Sequence, residues 1–231
     1  ITDKKAKVEE ILNCALLYGD SFGEDIIKIL ESGIEISRDT GFKQGEVTCY
    51  INLLFFGGMT KGHVETKYSR NLNEIIEMLE SIKDDHEWFP VGLNQLSFFH
   101  WFRGEYEKAF NTIFRSTKAA TGKNDLALAW NNFALGVFYF DTNSLIFYLT
   151  DSDAIMQNKP NDARPLLENA AALYRKLSHH SGLSRAVNDL GLLEKANKNY
   201  AKAIELLSES IEVRKDIKHL QGLITSYTEL G

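Results

Sequence analysis

The chain has 231 residues, enough for one or two ordinary domains or one solenoid. Its 44% apolar and 25% charged content fits a folded globular protein rather than a disordered one. The net charge of −6, with no concentrated basic face, argues against a direct nucleic-acid partner. No apolar run reaches the roughly 18 residues that a membrane helix requires, so no membrane association is expected. Cys14 and Cys49 both fall in apolar helical runs and read as buried free thiols of a reducing compartment. With no signal peptide and no Asn-x-Ser/Thr site, the expected location is cytoplasmic.

Strand-like alternation is nearly absent, and apolar residues recur at helical spacing along the whole chain. The first stretch, EEILNCALLYGDSFGEDIIKILESGIEI, places Ile26 and Leu30 on a packing stripe. The second, EVTCYINLLFFGG followed by LNEIIEMLESI, does the same with Leu53 and Leu79. The glycine-rich GGMTKGH at 57–63 lacks the Lys-Ser/Thr pair that a phosphate loop needs after its last Gly, and it reads as a turn between helices. Next comes LNQLSFFHWFRGEYEKAFNTIFRSTKAA, in which Leu96, Gly104, Tyr106, Ala109, Ile113 and Ser116 define a helix pair. The segments AWNNFALGVFYF and ARPLLENAAALYRKL form another pair, with Ala134 as its small residue and Ala163, Leu167 and Ala170 on its second helix. About 17 extra residues, around 141–158, separate these two helices. Their apolar NSLIFYL predicts a prolonged first helix or an extra short helix.

The clearest signal lies at the end of the chain. GLSRAVNDLG at 182–191 returns as GLITSYTELG at 222–231, an offset of 40 residues. Such a period means stacked units rather than one closed core. Val187, Leu190, Gly191 and Glu194 lie along one face of a first helix. Tyr200, Ala203, Ile204, Leu207 and Ile211 line a second, after a polar turn at Lys195 to Asn199. The set Leu190-Gly191, Tyr200, Ala203, Leu207 and Ser210 resembles the tetratricopeptide repeat, in a long variety of about 40 residues seen in bacterial regulators. The predicted fold is an all-α superhelix of about five helix pairs plus a terminal helix. The repeats run at roughly 7–43, 47–86, 90–122, 126–180, 184–219 and, in part, 223–231.

This resemblance implies a binding module whose first helices line a concave groove. Aligned on Ser97, Ala134 and Gly191, three successive first helices carry Asn94, Asn131 and Asn188 at one position. Each amide could hold a peptide backbone, with one acceptor and two donor hydrogens, or could cap or cross-link neighbouring helices. Phe98, Trp101, Leu135 and Phe138 follow further along these helices, and Arg185 would offer a cation to an acidic ligand. The predicted ligand is therefore a protein or peptide. The predicted role is the sensor or regulatory part of a larger bacterial signalling protein, with a stand-alone assembly scaffold as the alternative. No nucleophile elbow, Cys–His pair or zinc motif appears, so no catalytic or metal residues and no cofactor are expected. Ile224 to Gly231 starts a helix with no partner, which predicts either a missing helix or a homodimer through this end.

Overall fold

The computed structural model describes residues 4–12, 15, 25–61, 72–145 and 163–231. Every regular element among them is helical: α1 (4–12), α2 (Asp25–Thr40), α3 (Lys43–Lys61), α4 (Leu72–Glu80), α5 (Trp88–Phe102), α6 (Tyr106–Ala120), α7 (Asp125–Leu145), α8 (Ala163–Lys176), α9 (His180–Ala196), α10 (Tyr200–Asp216) and α11 (Leu220–Leu230). Two compact units result, residues 1–124 and 125–231. In the first, α2 packs on α3, α3 on α5, and α5 on α6; in the second, α7 packs on α8, α8 on α9, α9 on α10 and α10 on α11. The architecture is the expected all-α arrangement of repeating helix pairs.

Two contacts recur inside the pairs. A small residue on the first helix meets a large apolar residue on the second: a Cβ added to Gly191 would lie 2.8 Å from Cγ of Leu207, and one added to Gly136 would lie 2.7 Å from that of Leu167. A buried serine of the second helix then donates to a carbonyl of the first. Ser116 Oγ reaches Pro90 O at 2.6 Å, and Ser210 Oγ reaches Ser184 O at 2.8 Å. Both bonds satisfy a polar group that would otherwise be buried unpaired.

The turns share one geometry. Each helix ends on a residue in the left-handed conformation: Gly41, Gly104 and Gly122 in the first unit, and Ser178 (φ 53°), Lys198 (φ 63°) and Lys218 (φ 55°) in the second. The last three stand 20 residues apart, half of the 40-residue repeat. The next N–H then bonds back six residues, as in Asn199 N to Glu194 O (2.8 Å) and His219 N to Arg214 O (2.9 Å). That residue also opens the following helix. His179 Nδ1 accepts from Gly182 N at 3.0 Å, and a side chain at Gly182 would collide with His179 and Tyr174. The His179 ring stacks on Tyr174 at 5.2 Å and meets the edge of Trp130 at 6.1 Å.

The structure amends several expectations. Residues 57–61, expected in a turn, are the last turn of α3. The insertion begins with a prolonged helix, since α7 has 21 residues against 15 in α5; residues 146–162 lie outside those described. Ala203, Leu207 and Ile211 are buried as predicted, but Tyr200 and Ile204 are exposed. Their counterparts Tyr106 and Phe110 are packed by Trp101, and the position of Trp101 is taken in this repeat by Lys195. Cys49 is buried, and burial, reinforced by Glu46, pushes its thiol far above its ordinary range; Cys14 lies outside the described residues.

A side chain in the left-handed region costs about 1 kcal/mol, which glycine avoids. Lys198→Gly should therefore raise stability by roughly 0.5–1 kcal/mol in urea unfolding, and Gly104→Ala should lower it by about 1 kcal/mol. The His179 cap sets a pH dependence. Burial, helped by the charges of Arg185 and His180, holds its imidazole down at about 4, below the ordinary 6.5. The fold thus favours the neutral ring. Its contribution is complete above pH 6.5 and is lost as pH falls toward 4. His179→Asn keeps a capping acceptor without the titration. Between pH 7 and pH 4.5 the wild type should lose roughly 1–2 kcal/mol more than this variant, measured by urea unfolding at each pH.

Candidate functional site

Helices α3 and α5 run side by side in the first unit, and α5 is buried on most of its circumference from Trp88 to Ser97. A helix apolar all round is packed on more than one side. Toward the C-terminal ends of the two helices the aromatics converge. Phe55 lies 5.9 Å from both Phe98 and Phe102, Phe98 stacks on Phe102 at 6.3 Å, and Phe55 meets Phe56 at 4.8 Å. Phe56 is buried and Phe55 and Phe98 are half-buried, but Phe102 is 57% exposed. These rings form an apolar patch open to solvent.

The turn after Phe102 is tightly held. His100 Nδ1 and Glu105 Oε2 are 2.6 Å apart, and this bond, with help from Lys108 and Arg103, keeps the Glu105 carboxyl below its usual range. Arg103 pairs with Glu105 at 3.4 Å and lies 5.4 Å over the Phe99 ring. A cation over a ring face is attracted by its quadrupole. Trp101 leaves the patch and turns to the hairpin interior, where it meets Tyr106 at 4.8 Å and Phe110 at 6.2 Å. Phe98 is therefore the one sequence-predicted aromatic in this patch. Phe55 and Phe102 were missed, although the i, i+4 spacing of Phe98 and Phe102 places them on one stripe.

The three asparagines are all buried. Asn94 belongs to the first unit, and Asn131 and Asn188 belong to the second. Asn188 joins three helices. Its Oδ1 accepts from Ser226 Oγ of α11 at 2.8 Å and from Arg214 of α10 at 3.3 Å, and its Nδ2 faces Asp189 at 3.4 Å. Arg214 is itself buried and donates to Gly222 O and Ser226 Oγ, each at 2.5 Å. Beside this cluster, burial and the Asp141 charge raise the Asp189 carboxyl to about 6, opposed by its bond to Asn188 and by Arg214 and Arg185. Asn131 stands elsewhere on its helix. The small residue packed on α8 is Gly136 rather than Ala134. Asn131 thus precedes its packing glycine by five residues, whereas Asn188 precedes Gly191 by three. Two residues turn a helix by about 200°. Leu135 and Phe138 are buried in the second unit, and Arg185 is half-buried on α9.

Among the described residues, no group of three or more His, Cys, Asp or Glu side chains is placed to hold a metal ion. No described helix is long and apolar enough to cross a membrane. No protein-family model matches the chain, and no curated protein matches it.

Removing the Asn188 side chain would leave the Arg214 guanidinium and Ser226 hydroxyl short of a buried acceptor. Asn188→Ala should cost about 1–3 kcal/mol in urea unfolding. Asn188→Asp, which retains an oxygen toward Arg214, should cost less.

Proposed function

We propose that the chain is a non-enzymatic recognition module of tetratricopeptide type that binds a protein or peptide through its first unit. The observation that supports this most is the open aromatic patch of Phe55, Phe98 and Phe102 on α3 and α5. Exposed contiguous apolar surface marks an interaction site more often than scattered single residues do. Aromatic side chains concentrate binding energy, since they bury a large area at a small cost in side-chain entropy. The placement within a larger bacterial signalling protein, as its sensor or regulatory part, rests on the resemblance of Leu190-Gly191, Tyr200, Ala203, Leu207 and Ser210 to the repeat pattern.

The test uses peptides selected from a random library on the wild-type chain. Phe102→Ala should weaken their binding by about 1–3 kcal/mol, roughly 5- to 150-fold. The same change should shift unfolding by no more than about 0.5 kcal/mol, because the ring is largely in solvent. Phe114→Ala, on an exposed ring of α6, serves as the control and should leave affinity unchanged. Equal affinity of the selected peptides for wild type and Phe102→Ala would place recognition elsewhere.

A further inference from the structure

Helix α11 repeats α9 at an offset of 40 residues, but only α9 is covered. The face of α9 that meets its own second helix is marked by Ser184, whose carbonyl takes the Ser210 hydroxyl, and by Gly191, against which Leu207 packs. Val187 lies between them. The counterparts on α11 are Ile224, Tyr227 and Gly231. Ser184 and Val187 are both 0% exposed, while Ile224 is 61% and Tyr227 51% exposed. Leu190 is buried and its counterpart Leu230 is exposed. A Cβ on Gly231 would meet, among the described residues, only the carbonyl oxygen of Tyr227, at 3.4 Å. The socket that Leu207 fills on α9 is thus presented empty on α11.

We infer that this face of α11 docks an amphipathic helix of a partner protein, antiparallel to α11 and bearing the stripe of α10. That stripe is a small residue, then Leu four positions on, then Ser three further, as in Ala203, Leu207 and Ser210. The repeat itself supplies the template, because the α9–α10 interface is the same surface one repeat earlier. Register follows from it: the Leu enters the space at Gly231, and the Ser hydroxyl donates to the carbonyl of Ile224. That carbonyl already takes the Thr228 hydroxyl at 2.8 Å and has a second lone pair for the incoming donor. Charge does not oppose the docking, since Glu229 is the only charged residue in α11.

The probe is a synthetic peptide of residues 198–217, titrated against the 231-residue chain by fluorescence anisotropy. Saturable binding is expected. It should weaken at least about tenfold with the Ile224→Gln/Tyr227→Gln variant, whose changes lie on exposed positions. It should weaken equally when the peptide carries Leu207→Glu and the chain is wild type, a comparison that does not depend on the variant's folding. Absence of binding to the wild-type chain would overturn the inference. So would binding that the α11 substitutions leave unchanged, which would mean that the peptide displaces α10 from α9. Concentration-dependent dimerisation of the chain, abolished by the α11 substitutions, would overturn it in favour of a second copy as the occupant.

Discussion

The structure depends on how closely two helices of a pair can approach. Where Gly191 faces Leu207, and Gly136 faces Leu167, a Cβ would stand under 3 Å from the leucine side chain. Glycine inside a helix costs about 1 kcal/mol relative to alanine. Burying a leucine completely contributes about 1.5–3 kcal/mol, so the close contact outweighs the weaker helix. It also brings the backbones near enough for a serine hydroxyl to reach across. Ser116 and Ser210 each contact a carbonyl 26 residues earlier, which fixes the pair in register as well as in distance.

Around that contact the polar locks change while their geometry stays. At the end of α5, His100 bonds Glu105; at the end of α9, Glu194 accepts from Asn199 at 2.8 Å and also pairs with Arg164 of α8. In both cases residue i meets residue i+5 across a left-handed turn. The start of the next helix shows a second exchange. Tyr174 stacks on His179, and 40 residues later Arg214 and His219 occupy the same two places. The arginine is the demanding member, because an uncompensated buried charge costs several kcal/mol. Gly222 O, Ser226 and Asn188 supply the acceptors, two of them on α11. A polar substitution on α10 has thereby made the docking of α11 specific.

The helix pairs could be read from the chain because small and large residues recur at a fixed offset wherever the turns keep their length. That reading fails where length changes. The insertion after α7 removes the offset that would have identified Gly136, and Ala134 lies only two residues away in an equally apolar run. The burial of Asn188 was equally hidden, since its partners Arg214 and Ser226 lie 26 and 38 residues downstream. An amide at that position could as well face solvent on the evidence of spacing alone. The aromatic patch was half visible. Phe98-Phe99-His100-Trp101-Phe102 offers no polar residue to orient the helix, so nothing local separates Phe102, which points outward, from Trp101, which closes the hairpin.

The patch owes its stiffness to the elements that leave it exposed. Phe102 is the last residue of α5, a place where helix ends usually fray. Here the next residues are held: Gly104 takes the left-handed turn, Glu105 N bonds His100 O at 2.9 Å, and the Glu105 carboxylate bonds the His100 ring. Trp101, one residue before, is wedged against Tyr106 and Phe110. The backbone under Phe102 is therefore fixed from both sides while its ring stays in water. Binding a partner then requires little ordering of the chain, and ordering is a principal cost of association. An aromatic surface mounted on a locked turn keeps more of its burial energy as affinity than the same rings would on a mobile loop.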